Sequence, residues 1–166
     1  LGDIHPELGG TQPNAWLPRP VDRVALRHTV GLGDPITDPD IPAADLVDDC
    51  LPQSLAACIA AYDLTRFKIK LSGDPDTDIA RLSSIAELLA DSADYAYSLD
   101  GNEQYRGVAP FRTMWETLTA SPEIADFLSH LLFVEQPLHR DVALSDAVAA
   151  DLLAWEARPP IIIDES

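Results

Sequence analysis

Lysine is almost missing from this sequence. It occurs only at Lys68 and Lys70, within 11 Lys+Arg set against 28 Asp+Glu, for a formal net charge of -17. A surface this acidic repels phosphate backbones, so nucleic acid is not an expected partner. Salt adaptation and a composition biased toward Ala, Asp and Arg both account for the charge. Long apolar runs are also missing: no stretch approaches the roughly 20 residues of a membrane span, so no membrane partner is expected. The opening Leu1-Gly2-Asp3-Ile4-His5-Pro6 has no basic region followed by an apolar one, as a secretory signal would. It also lacks Met, which fits a chain cut from a longer one. Cysteine is confined to Cys50 and Cys58, with no CxxC and no metal-ligand spacing. On one helix these two stand two turns apart, too far for a disulfide. They are expected to be buried small hydrophobes in a reducing cytoplasm.

What the chain does have is alternation. Residues 1–22 are rich in Pro and Gly and read as an irregular lead-in, with a strand within Val21 to Leu32. The pattern then predicts a helix over 46–62, a strand over 66–71, a helix over 76–90 and a strand over 95–100. It continues with helices over 110–118 and 121–130, a strand over 131–135, a helix over 145–157 and a strand over 161–164. Pro52 is read as marking the first turn of the first helix's main run, and Ser121 as an N-cap. Strand–helix alternation in units of about 30 residues predicts α/β architecture with a parallel sheet.

Most strands end on an ionisable residue. Lys68 and Lys70 lie two apart on one face of their strand, and Phe67, Ile69 and Leu71 take the other. Asp100, Glu135 and Asp164 end the next three. Parallel strands bring all of these to one end of one sheet, which in a (β/α)8 barrel is the catalytic face. Converging carboxylates repel, and a hard divalent cation with oxygen ligands, Mg²⁺ or Mn²⁺, would relieve that. Side by side, the two lysines are expected to depress at least one pKa, as suits a general base. The bland alternatives are edge-strand lysines that deter aggregation and solvated carboxylates at strand ends. His139 follows Glu135 in a loop at the catalytic end and is expected to be a surface-loop histidine, with contact to a substrate as the alternative. Trp16, Trp115 and Trp155 are expected in packing.

Four segments resemble the enolase superfamily, in the mandelate racemase and muconate lactonizing enzyme family. Phe67-Lys68-Ile69-Lys70 resembles its Lys-x-Lys motif, and Leu99-Asp100-Gly101-Asn102-Glu103 its Asp-x-Asn motif. Phe133-Val134-Glu135-Gln136-Pro137 resembles its Glu-Gln-Pro motif. Ile163-Asp164-Glu165-Ser166 resembles the Asp-Glu-Ser of the muconate-lactonizing branch. The resemblance covers residues 23–166. It implies the first five strands of a (β/α)8 TIM barrel, truncated before strand six. It implies Mg²⁺ held by Asp100, Glu135 and Asp164, with Lys70 as acid/base and Lys68 tuning it and touching a carboxylate substrate. Asn102, Gln136 and Glu165 would stand just behind these groups. The implied activity is that of an isomerase or lyase: abstraction of the proton α to a carboxylate through an enediolate, in a racemase, epimerase or cycloisomerase. An acid-sugar dehydratase of the same superfamily is the alternative, and an inactive truncated product or subunit-binding remnant is another. The full-length protein is expected to be a cytoplasmic homo-oligomer, and the fragment alone to be inactive.

Overall fold

The computed structural model describes residues 5–10, 12, 19–92 and 94–166. Much of the predicted lead-in, with Trp16, lies outside the described residues. Five strands form one sheet: β1 (Arg27–Val30), β2 (Arg66–Lys70), β3 (Ala96–Asp100), β4 (Leu131–Glu135) and β5 (Ile161–Ile162). Their order is β1-β2-β3-β4-β5 and every pairing is parallel. Helices interleave them: α1 (Leu55–Tyr62), α2 (Pro75–Leu89), α3 (Val108–Ala120), α4 (Ala125–Leu128), α5 (Arg140–Ala143) and α6 (Asp146–Ala154). Among the described residues no helix is long and apolar enough to cross a membrane.

A parallel pair needs a crossover, and crossovers are right-handed. An order that never reverses therefore puts every helix on the same face. Burial agrees. Phe67, Ile69, Tyr97, Leu99 and Val134 are at most 1% exposed and share one core with Leu82, Ile85, Phe111, Met114 and Leu118 of the helices. Burying each such side chain contributes about 1.5–3 kcal/mol. The opposite face of the sheet carries Lys68, Lys70, Ser98, Asp100 and Glu135.

The helix predicted from residue 46 begins nine residues later. Cys50 has φ 62, and Leu46, Val47 and Leu51 are exposed. Ser54 is the actual N-cap, its Oγ accepting the Ala57 N–H at 3.1 Å. Pro52 thus lies before the helix rather than in its first turn. Cys50 is exposed and Cys58 half-buried, both free thiols, which corrects the expectation of two buried cysteines on one helix. β1 is shorter than the apolar run suggests, because Val24 and Leu26 are exposed. Residues 121–130 form a 3-10 turn and one turn of α4, not one helix. The Ser121 hydroxyl donates to the Glu123 carboxylate instead of capping. His139, in the segment that follows β4, sits at the N-cap of α5, where its ring accepts the Asp141 N–H at 3.2 Å.

A register shift between Tyr97 and Ser98 sets which residues face one another at the strand ends. Tyr97 pairs with Leu131 but Ser98 with Phe133, so Leu132 is skipped and stands 52% exposed. Beyond the shift, Lys70 pairs with Asp100, Asp100 with Glu135, and Glu135 with Ile162.

Candidate functional site

Because neighbouring strands lie ~4.8 Å apart, residues paired in a parallel register form a row across the sheet. Lys70, Asp100 and Glu135 make such a row at the carboxyl ends of β2, β3 and β4, and Lys68 sits one layer below. Lys68 Nζ bridges the carboxylates, 2.8 Å from Asp100 Oδ2 and 2.7 Å from Glu135 Oε1. Lys70 Nζ donates to Asp100 Oδ2 at 2.9 Å and to Asn102 Oδ1 at 2.6 Å. Asp100 Oδ1 accepts the Asn102 N–H at 2.9 Å. Asn102 is held by a left-handed backbone, φ 44, that turns its amide oxygen back onto the lysine.

Asp100 and Glu135 are 4% and 6% exposed, so their charges require partners. Burial works against ionisation of Asp100, but hydrogen bonds from Lys68, Lys70 and the Asn102 N–H outweigh it and hold the carboxyl below its usual range. At Lys68, burial disfavours the ammonium, yet the bonds to Asp100 and Glu135 prevail and push its pKa up. The lowering expected from lysine–lysine repulsion is therefore reversed at Lys68: opposite charges at 2.7–2.8 Å dominate.

The loops beyond the row continue the sheet. Gly101 N–H donates to the Glu135 carbonyl, Glu103 N–H to that of Gln136, and Tyr105 N–H to that of Pro137. This close approach needs glycine at 101, where a Cβ would come 2.6 Å from Pro137 Cα. Gln136, 1% exposed with φ 37, ties β4 to the chain after β5. Its Oε1 accepts the N–H groups of Asp164 and Glu165 at 2.7 and 2.9 Å, while its Nε2 donates to the Leu138 carbonyl. Arg140 grips Glu103 with two side-chain bonds of 2.8 Å and reaches Glu165 at 3.1 Å. Those bonds hold the half-buried Glu103 carboxyl down to about 2.

Of the expected site residues, the structure brings together Lys68, Lys70, Asp100, Asn102 and Glu135. Gln136 stands directly behind them, as an organiser of backbone. Glu165 joins the Arg140 clamp instead. Asp164 lies two residues past the end of β5 and is exposed. Among the described residues, no three His, Cys, Asp or Glu side chains lie close enough to hold a metal ion. The expected convergence of three carboxylates is thus a convergence of two, with the Lys68 ammonium between them. The donor set still suits a hard cation: all oxygen, with Glu135 Oε2 buried and lacking any hydrogen bond. A hollow of about 570 Å³ lined by Tyr95, Phe127 and His130 lies near the opposite ends of the strands, away from this chemistry.

Arg27 and the Glu103–Arg140 pair escape sequence reasoning. Arg27 Nη1 lies 3.6 Å from Glu135 Oε2 and donates to Ser98 Oγ at 3.3 Å. The available signal is the two-residue step from Arg27 to Thr29, which puts both on one strand face. Comparison with protein-family models, with curated proteins and with solved structures finds no match for this chain.

Proposed function

We propose that this chain carries one half of an enolase-superfamily site, in which Mg²⁺ and a lysine base remove the proton α to a carboxylate. Residues 23–166 are then strands one to five of a (β/α)8 barrel, and residues 1–22 a lead-in to it. The observation that carries the reading is the row Lys70–Asp100–Glu135 at one level of three parallel strands, with Lys68 bridging both carboxylates. The strand order and the placing of helices on one face support the barrel, because the other face is then an interior.

Asp100 and Glu135 would hold the cation, with Asp164 as a third ligand from the next strand end; Mn²⁺ suits the same oxygens. When bound, the cation supplies positive charge beside the substrate carboxylate, where negative charge develops. Lys68, kept protonated by its carboxylate partners, is suited to bind that carboxylate rather than to act as base. Lys70 has three donor positions; Asp100 and Asn102 accept from two of them, which leaves one direction for the substrate. These two partners aim Lys70, and in its neutral form it takes the proton. The overall reaction is racemisation, epimerisation or cycloisomerisation. Loss of water from an acid sugar would use the same half-site.

In the full-length polypeptide, Lys70→Ala should abolish exchange of the substrate α-proton with solvent deuterium while Mg²⁺ still binds. Exchange near the wild-type rate would remove Lys70 from the role of base.

A further inference from the structure

Arg27 belongs to none of the four motifs that mark the site. It lies on β1, where Thr29 pairs with Lys68, so Arg27 shares the polar face of the sheet one layer lower. Its side chain crosses beneath β2 and β3 to reach β4. Nη1 donates to Ser98 Oγ at 3.3 Å and stands 3.6 Å from Glu135 Oε2. Ser98 is fully buried, and Glu135 is 6% exposed.

The two oxygens of Glu135 are treated differently. Oε1 accepts a 2.7 Å hydrogen bond from Lys68. Oε2 is buried with no hydrogen bond, and Arg27 Nη1 lies 3.6 Å from it. The contact is longer than a hydrogen bond, so it acts through charge: the carboxylate is buried, whereas the Arg27 side chain is 43% exposed and partly screened by solvent. Arg27, Lys68 and Lys70 together give three positive charges against the two negative charges of Asp100 and Glu135. This face of the sheet is locally positive in a chain of net charge -17.

We propose that Arg27 is the positioning residue of Glu135: it neutralises the oxygen that the lysines leave bare, holds the carboxylate in place without metal, and competes with a divalent cation for it. The proposal rests on reading Asp100 and Glu135 as cation ligands. Removing the guanidinium has two effects of opposite sign. Without metal, Glu135 keeps a buried charge with one oxygen uncompensated, so the protein loses stability. With metal, the site has one positive charge fewer to repel the cation, so binding tightens.

The test uses the full-length polypeptide, wild type against Arg27→Met, Arg27→Lys and Ser98→Ala. Calorimetric titration of Mg²⁺ at low salt is paired with thermal unfolding with and without Mg²⁺. Arg27→Met should bind Mg²⁺ about tenfold tighter at low ionic strength. Its metal-free melting temperature should fall by about 2–4 °C and recover when Mg²⁺ is added. Arg27→Lys and Ser98→Ala should keep an affinity within about twofold of wild type, since both retain the charge. A merely structural role would weaken Mg²⁺ binding and leave the melting loss unrepaired by metal; that result overturns the proposal. Unchanged affinity in Arg27→Met overturns it equally, with the site reading intact. A wild type that binds no Mg²⁺ overturns the site reading, and the proposal with it.

Discussion

At the scale of single residues, the site is an exchange of partners around two buried carboxylates. Lys68 contributes to stability through both, and two pKa shifts set the pH limits of that contribution. Asp100 is held below its usual range, so its share is present above about pH 4 and lost as pH falls through the folded value. Lys68 is raised, so its share is full below about pH 10.5 and lost as pH climbs through the folded value. Removing one partner of a buried network costs about 3–5 kcal/mol. Lys68→Met should therefore destabilise by roughly the lower end of that range, since 16% of the side chain remains exposed. Denaturant titrations from pH 3 to 11 should give a wild-type-minus-variant gap that is constant across neutral pH and shrinks at both extremes. A gap that widens at either end would contradict the assignment of partners.

At the scale of elements, the positions of β2, β3 and β4 were legible because each ends on a charge beside apolar residues. Lys70, Asp100 and Glu135 could be located from spacing alone, and the structure pairs them directly. The register shift opposite Leu132 could not be read, because Leu131 to Val134 is uniformly apolar and offers no alternation to reveal a skipped residue. A run of isoleucines points to a strand that ends at Asp164, yet only Ile161 and Ile162 pair. Gln136 was legible as a neighbour of Glu135 but not as a backbone latch, because its partners come from 28 and 29 residues away. Helix starts were the weakest part. Leu51, Leu55, Ile59 and Tyr62 satisfy helical spacing and Leu46 reads as the start, but the choice of cap fell to Ser54, whose hydroxyl is fixed by Asp38 as well as by Ala57. Ser54→Ala should accordingly cost about 1 kcal/mol, and Leu46→Ala or Leu51→Ala less than about 0.5 kcal/mol. Chemical denaturation of the three variants checks this; a large loss at Leu46 would restore the longer helix.

At the scale of the whole molecule, the sheet buries one face and leaves the other without helices. Among the described residues, the outer edges of β1 and β5 have no strand partner. Leu132, Leu144, Leu153 and Ile162 are all more than 40% exposed, and the last three lie toward the β5 side of the fold. Apolar surface and open strand edges favour association, whereas a net charge of -17 opposes it at long range. Salt decides between them, because the screening length falls from about 10 Å at 0.1 M to about 3 Å at 1 M. A polypeptide of residues 1–166 expressed alone should therefore show no sharp cooperative melting at low salt and should associate as salt is raised. Under the proposed function it should also lack α-proton exchange, since no helix or strand among the described residues covers the face bearing Lys70, Asp100 and Glu135 to exclude water. Light scattering across a salt series, thermal unfolding and deuterium exchange together test this. A monomer that melts cooperatively and exchanges the proton would show that five strands suffice, and the face bearing Lys68 and Lys70 would then be a complete site rather than half of one.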